Sequence, residues 1–264
     1  MRSTKPTVAD LQAQKGQCQL TNVYVDSIDE AQAASDAGID IITVQDTLMS
    51  SQFRRVAPYA FIVVGIEYGI SAVTTDEYLR AGFAALNSGA DAVWSAAGLG
   101  TISRMRDEGI PVVGHVGLIP ARRTWTGGFK AVGRSAASAI EVWKATKALE
   151  DAGAFAAEIE VVPEPVASAI SKNTSLVMIS MGSGSGCDAQ YLFSTDILGT
   201  NTGHVPRHAK QYADLEAERA RIQQLRVEAF AAYVDDVRSG GFPDESRLVS
   251  IDDQELSEFL SAIN

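Results

Sequence analysis

IDIITVQDT, at residues 39 to 47, is the stretch of this sequence that decides the predicted fold. It is an apolar, mostly β-branched run, and such runs are typical of strands buried on both faces of a parallel sheet. The run ends abruptly in three polar residues, Gln45, Asp46 and Thr47. Because α/β folds place their chemistry at the carboxyl ends of their strands, we expect Asp46 to lie in an active site.

The same joint recurs along the chain: a helical pattern ends at a glycine, and an apolar run follows. The glycines of these joints are Gly38, Gly89, Gly109 and Gly153. Each suits the residue after a helix, where a left-handed backbone turns the chain towards the next strand. These four joints indicate repeated βα units. Counted along the whole sequence of 264 residues, about seven or eight βα units are expected, and that number favours a closed (β/α)8 barrel over an open sheet.

We therefore predict an α/β chain whose fold is a (β/α)8 TIM barrel. Residues 1–264 are expected to form a single barrel domain with a helical tail at the C-terminal end. Polar or aromatic residues at the ends of the predicted strands should then meet at one mouth of the barrel. These residues are Asp46, Glu67, Trp94, Ser95, His115 and Glu160.

The composition argues against several classes of partner. With 22 basic and 33 acidic residues the formal net charge is −11, which disfavours nucleic acid and anionic membranes as partners. No apolar run reaches the roughly 18 residues of a membrane span, and we expect no signal peptide because no basic start precedes an apolar stretch. Cys18 and Cys187 form neither a disulfide framework nor a metal spacing, so we expect a cytoplasmic protein.

Several uncommon strings match one family, in the same order along the chain. Residues 114–120 read GHVGLIP, against GHIGLTP in that family, and residues 127–134 read GGFKAVGR, against GGYKVQGR. The stretches at 148–163, 182–190 and 237–245 match as well. On these strings the chain resembles the ketopantoate hydroxymethyltransferase family.

The resemblance implies a (β/α)8 barrel of the phosphoenolpyruvate mutase and isocitrate lyase superfamily, assembled as a homo-oligomer, typically a decamer. It also implies a reaction in which a one-carbon unit passes from methylenetetrahydrofolate to the carbon beside the keto group of 3-methyl-2-oxobutanoate, with Mg²⁺. In such chemistry a divalent ion stabilises the enolate that forms when a base removes the neighbouring proton. We therefore expect a small keto-acid-like substrate, with Mg²⁺ as cofactor and methylenetetrahydrofolate as co-substrate.

The family's residues carry over only in part at the expected metal site. The family's VGDS is VQDT here, so Asp46 matches its first metal-ligand aspartate and Thr47 matches the serine that helps to hold the substrate. The family's second metal aspartate falls on Ile66, and Glu67 follows one place later. Glu67 is the candidate replacement ligand, although a shift of one residue along a strand turns a side chain to the other face unless a bulge intervenes.

The positions around the expected substrate have also changed. Trp94 stands where the family has a lysine and Ala96 where it has a glutamate, whereas His115 and Glu160 are kept. Glu160 matches the glutamate proposed as the base and is the catalytic candidate. Losing a lysine that faces a substrate carboxylate removes a charge-assisted hydrogen bond of about 1.5–3 kcal/mol, so we expect an altered substrate pocket. The candidates for substrate binding are Thr47, Trp94, Ser95 and His115.

Three functions stay open at this point. The first is a hydroxymethyltransferase-like enzyme that keeps the aldol-type transfer of a one-carbon unit, with an altered substrate and a role in specialised metabolism. The second is a lyase or hydrolase of the same superfamily that acts without folate or metal. The third is a non-catalytic paralogue that kept the barrel. The site residues also have plainer explanations: a helix cap for Asp46, a solvated carboxylate for Glu67, core filling for Trp94 and ion pairing for Glu160.

Overall fold

Eight parallel strands close into a barrel in the computed structural model, which describes residues 4–263. Each strand pairs with the next along the chain, and the last pairs with the first, so that the sheet closes on itself. The prediction of a (β/α)8 TIM barrel is therefore confirmed. The strands are β1 Leu20–Tyr24, β2 Ile41–Gln45, β3 Phe61–Gly65, β4 Ala92–Trp94, β5 Val112–Gly117, β6 Ala156–Glu160, β7 Val177–Met181 and β8 Ala189–Phe193.

Helices connect the strands and continue beyond the last one. They are α1 Val8–Ala13, α2 Ile28–Ala37, α3 Ser51–Val56, α4 Thr75–Asn87, α5 Leu99–Asp107, α6 Arg123–Thr126, α7 Ala136–Asp151, α8 Glu164–Lys172, α9 Ser194–Leu198, α10 Leu215–Ser239 and α11 Asp253–Ile263. Short 3₁₀ turns lie at Pro120–Arg122 and Glu245–Arg247.

The joint between α2 and β2 shows how the sequence makes one βα unit. Ser27 caps the start of α2, where its hydroxyl accepts a hydrogen bond from the Glu30 N–H at 3.1 Å. Gly38 follows α2 with φ +86°, the left-handed conformation that a residue with a side chain seldom adopts. The glycines of the other three joints also have positive φ, which confirms these turns: Gly89, Gly109 and Gly153.

Alternation along the strands divides the buried side chains into two layers. Ile41 and Phe61 lie in the layer that fills the barrel interior. Ile42, Ile62 and Ile66 lie in the layer between the strands and the surrounding helices. Because neighbouring residues of a strand point to opposite faces, the same alternation decides which strand-end residues face the interior.

The described chain forms two compact units. The first ends at Ala213 and contains the barrel, and the second begins at Asp214 and contains α10 and α11. The expectation of a single domain over residues 1–264 stays a prediction. Within residues 4–263, every helix is too short or too polar to cross a membrane.

A buried carboxylate fastens the start of β4 to its neighbours. Asp91 precedes β4, and its side chain is 7% exposed. It accepts hydrogen bonds from the Arg54 guanidinium of α3 and from the Ile62 N–H of β3, and it also pairs with Lys5. Arg54 extends this connection by donating to the Gly89 carbonyl oxygen at 2.8 Å. One carboxylate thus ties a helix and two strands together.

Replacing this carboxylate should destabilise the barrel without touching its mouth. We expect Asp91→Asn to lower the free energy of unfolding by about 2–3 kcal/mol, because Arg54 loses its charged partner in a mostly buried setting. Urea denaturation followed by circular dichroism measures the loss. The matched control is Asp107→Asn, since Asp107 is 46% exposed and pairs only with the exposed Arg106; it should change stability by less than about 0.5 kcal/mol. Equal losses in both variants would contradict the prediction.

Candidate active site at the barrel mouth

A cavity of about 590 Å³ opens at the carboxyl ends of the strands. We call this end of the barrel the mouth. Three carboxylates line the cavity, whereas Arg123 is the basic side chain among its lining residues. The polar and aromatic lining residues are Tyr24, Thr43, Gln45, Glu67, Tyr68, Trp94, His115, Arg123, Glu158, Glu160, Tyr191 and Phe193.

The centre of the cavity wall is a buried group of three titratable side chains, His115, Glu158 and Glu160. Their side chains are 2%, 6% and 11% exposed. Nε2 of His115 lies 3.1 Å from Oε2 of Glu160 and 3.9 Å from Oε1 of Glu158. All three ligand atoms lie within 4.8 Å of one another, a spacing from which a metal ion can be held. We refer to these residues below as the His–Glu–Glu group.

Strand pairing and strand period bring this group together. His115 of β5 is the direct register partner of Glu158 of β6. Glu158 and Glu160 are separated by one residue on the same strand, so both point into the barrel. Trp94 of β4 stands beside them, and its indole N–H donates to Oε2 of Glu158 at 2.7 Å. The Trp94 and His115 ring centroids are 5.3 Å apart.

Burial and mutual charge control the protonation of this group. Burial raises the pKa of the Glu158 carboxyl, and the Glu160 charge adds to that rise, whereas His115 and the Trp94 indole act against it. Burial opposes protonation of His115, but the nearby Glu158 and Glu160 carboxylates outweigh it and raise the pKa of the imidazole. Both shifts favour the protonated forms of His115 and Glu158, so these side chains hold protons that can be exchanged with a substrate.

A second chain of polar contacts lies on the other side of the mouth. The Tyr24 hydroxyl donates to Oε1 of Gln45 at 2.7 Å, and Nε2 of Gln45 donates to Oε2 of Glu67 at 2.7 Å. Burial and the neighbouring acidic charges of Asp26, Glu67 and Asp46 raise the pKa of Tyr24 to about 12. Tyr24 is therefore a neutral hydrogen-bond donor at neutral pH.

The structure brings together four of the residues predicted from the sequence. Glu67, Trp94, His115 and Glu160 all line the cavity at the mouth. Their individual roles stay predictions, but their convergence on one cavity is what the strand-end argument expects.

Asp46 and Thr47 do not join them. Both line a separate cavity of about 240 Å³, which is bounded on its other side by Ala81 and Ser88. For Asp46 the reason is strand period: Gln45 ends β2 facing the interior, so the next side chain turns outwards. Thr47 lies in the turn that follows β2, where the alternation of a strand no longer applies. Oδ1 of Asp46 is buried there without a hydrogen-bond partner among the described residues. The metal-ligand role of Asp46 and the substrate role of Thr47 stay predictions that this geometry does not support.

Ser95 also lies outside the mouth. It follows the inward-facing Trp94, is completely buried, and its hydroxyl accepts a hydrogen bond from the Ala97 N–H at 3.1 Å. It lines a side cavity of about 370 Å³ between the strands and the helices α5 and α7. His115 lines this side cavity as well as the cavity at the mouth. The substrate-binding role of Ser95 therefore stays a prediction without support from the mouth geometry.

Glu158 and Gln45 belong to the mouth but were not among the residues predicted from the sequence. The signal for Glu158 is present in the string AEIE at 157–160, where two glutamates alternate with an apolar residue. Such alternation places both carboxylates on one face of a strand. The sequence carries no comparable signal for Gln45, because a run that is apolar on both faces does not show which of its residues face the interior.

The backbone at the end of β5 and β6 is tightly constrained. Gly117 is the register partner of Glu160 and has φ +86°. A Cβ atom at this position would lie 2.4 Å from the Glu160 carbonyl oxygen. Val161, directly after Glu160, has φ +50°, a conformation that costs a β-branched residue roughly 1–3 kcal/mol. Such strain is found where surrounding structure holds a functional side chain in place.

Comparisons with known proteins bear on this site. The family model described as ketopantoate hydroxymethyltransferase matches residues 49–245. The chain is 31% identical to 3-methyl-2-oxobutanoate hydroxymethyltransferase 1 of Methylibium petroleiphilum, over 98% of this chain and 94% of that protein. It is 37% identical to 3-methyl-2-oxobutanoate hydroxymethyltransferase of Pseudothermotoga lettingae, over 78% of this chain and 77% of that protein.

Among solved structures, the fold is similar to that of 2,3-dimethylmalate lyase, which is described as a member of the PEP mutase/isocitrate lyase superfamily. The TM-score is 0.51 at 12% sequence identity, with 97% of this chain and 99% of that chain covered. At this identity the likeness concerns the fold alone.

Adding a methyl group at Gly117 should disturb the mouth. We expect Gly117→Ala to cost about 1–2 kcal/mol of stability from the left-handed backbone, and roughly 1–3 kcal/mol more because the methyl group clashes with the Glu160 carbonyl. The control is Gly109→Ala, since Gly109 has φ +81° but nothing within 4 Å of its added Cβ. Urea denaturation of both variants separates the two contributions. A loss no greater at Gly117 than at Gly109 would show that β5 and β6 are not held closely there.

Proposed function

The chain belongs to the ketopantoate hydroxymethyltransferase family, and we propose that its barrel mouth performs an aldol-type transfer of a one-carbon unit. Its function is ketopantoate hydroxymethyltransferase-like, and the relatives named above are transferases of one-carbon groups. We infer a keto-acid-like small molecule as the acceptor and methylenetetrahydrofolate as the donor. The observation that carries the proposal is the buried His–Glu–Glu group in the wall of the cavity.

Glu160 is the proposed base. Its carboxylate accepts the proton from the carbon beside the ketone, which leaves an enolate on the substrate. His115 supports this step because its raised pKa favours a positive imidazolium, whose Nε2 lies 3.1 Å from Oε2 of Glu160. The imidazolium places a positive charge beside this base and can share the proton after the transfer. Burial of both side chains excludes bulk water from the step.

The acceptor is proposed to differ from 3-methyl-2-oxobutanoate. Trp94 occupies the family's lysine position, and its N–H is used by Glu158 at 2.7 Å. The inner wall therefore offers carboxylates, where a substrate carboxylate needs a cation. Outside the His–Glu–Glu group, Arg123 is the basic side chain that lines the cavity. These charges support a substrate that places its carboxylate towards Arg123 and a neutral or apolar part against Trp94.

The residues at the family's magnesium positions do not converge on one point in this chain. Ile66, at the second ligand position, is completely buried in the layer between strands and helices. Asp46 lines a separate cavity, and Glu67 accepts a hydrogen bond from Gln45. These residues do not fit a site in which two carboxylates share Mg²⁺. The roles of Asp46 and Glu67 as Mg²⁺ ligands stay predictions, and no step above depends on them.

We further infer a homo-oligomer, a decamer by family resemblance, that acts in the cytoplasm without nucleic acid or membrane partners. The net charge of −11 supports the absence of polyanionic partners. Free Cys18 and Cys187 fit a reducing compartment.

Removing the proposed base should abolish enolate formation. We expect Glu160→Gln to slow deuterium exchange at the carbon beside the ketone by about 100-fold or more, because an amide cannot take up the proton. Nuclear magnetic resonance in D₂O measures the exchange, with 3-methyl-2-oxobutanoate and a series of larger 2-oxo acids. Glu108→Gln, at an exposed position after α5, is the matched control and should exchange at the wild-type rate.

The same assay separates the three functions. Hydroxymethyl product that forms only with methylenetetrahydrofolate supports the proposal. Cleavage or hydrolysis of a substrate without folate supports the lyase or hydrolase. Absence of exchange and of product with every acceptor, in folded wild-type protein, contradicts the proposal and supports a non-catalytic paralogue.

A further inference from the structure

The His115 ring nitrogens have an unusual environment for a buried imidazole. The side chain is 2% exposed, and neither Nδ1 nor Nε2 has a hydrogen-bond partner of acceptable geometry among the described residues. Nevertheless, Nε2 faces one carboxylate oxygen at 3.1 Å and a second at 3.9 Å. Buried polar atoms are almost always partnered. Two carboxylate oxygens that lie near Nε2 without a well-aligned hydrogen bond to it leave room for an ion that contacts all three atoms.

We propose that a divalent transition-metal ion binds between Nε2 of His115, Oε1 of Glu158 and Oε2 of Glu160. Ligand atoms that each lie about 2.1 Å from one ion are roughly 3–4 Å from each other. The two distances from Nε2, 3.1 and 3.9 Å, fall in this range, and all three atoms lie within 4.8 Å. An ion of charge +2 would also neutralise two carboxylates that are otherwise buried side by side.

The Trp94 indole supports this assignment. It donates to Oε2 of Glu158, which leaves Oε1 of the same carboxylate facing His115. Partners of this kind orient metal-binding carboxylates in many sites. An indole is also uncharged, whereas a lysine at the same position would repel a cation. The change from lysine to Trp94 and the position of Glu158 therefore favour the same occupant.

The donor set indicates which metal is held. Mg²⁺ prefers oxygen ligands only, in a nearly ideal octahedron. An imidazole nitrogen with two carboxylates suits Zn²⁺, Fe²⁺ or Co²⁺ better. The inference rests on the proposed function only because the ion would bind in the same cavity. Metal binding can be measured without any catalytic turnover. An ion bound at Nε2 would take the place of the imidazolium proton and would supply the positive charge beside Glu160 in its stead. It would use one oxygen of each glutamate, so Oε1 of Glu160 would remain available to accept the substrate proton.

Metal titration of the untagged full chain, after treatment with a chelator, tests the proposal. We expect one Co²⁺ to bind per chain, as detected by its visible absorption, and Zn²⁺ to displace it. Mg²⁺ should bind at least about 100-fold more weakly than Co²⁺. Glu158→Gln should weaken Co²⁺ binding by more than about 100-fold, and Trp94→Phe, which keeps all three ligands, by about 10-fold or more. Glu108→Gln, a carboxylate at an exposed position after α5, is the matched control and should leave the affinity unchanged.

Several results would overturn the proposal. One is a chain that is folded by circular dichroism and binds neither Co²⁺ nor Zn²⁺. Another is an affinity that Glu158→Gln and Trp94→Phe leave unchanged, or one that Glu108→Gln removes, since either places the ion elsewhere. Trp94→Phe serves as the second test if Glu158→Gln does not fold. If the protein catalyses deuterium exchange but binds no metal, the proposed function stands and the metal site is refuted. If it binds the metal but catalyses no exchange, the metal site stands and the proposed function is refuted.

Discussion

The two-residue period of a strand is the constraint on which the rest of this molecule depends. In a closed barrel every strand residue faces either the interior or the helices, and no intermediate position is available. The interior face of β2 ends in Gln45, and that of β6 ends in Glu158 and Glu160. The residue directly before or after an interior-facing strand residue points towards the helices, so it cannot reach the mouth even when its side chain would suit the chemistry. Ile66 and Asp46 are both on the excluded face.

Within that constraint, the mouth has an uneven distribution of charge. Carboxylates line the cavity from β6 and from the loop after β3, whereas Arg123 comes from the start of helix α6. Trp94 occupies one hydrogen-bonding oxygen of Glu158, so this carboxylate cannot swing freely towards a ligand. The result is a rigid inner wall that attracts positive charge and an outer part that can receive a negative one. Such a polarity selects the orientation of a bound molecule before any reaction takes place.

The fold could be predicted from the sequence because its cues are local. Gly38 and Gly109 mark helix ends through a backbone conformation that depends on few neighbours. Trp94, His115 and Glu160 could be placed at the mouth because each lies at or near a strand end. The position of Asp46 could not, since it depends on the phase of β2, and a run that is apolar on both faces does not reveal its phase. The contact between Trp94 and Glu158 joins residues 64 positions apart, which only the closed barrel brings together.

His115 lines the cavity at the mouth and also the side cavity between the strands and the helices α5 and α7. One residue of β5 therefore separates the two cavities at this point. A small molecule bound in the side cavity would contact the residue that carries the imidazole without competing with a ligand at the mouth. The side cavity is thus placed where an effector could alter the reaction centre from the outer face of the strand.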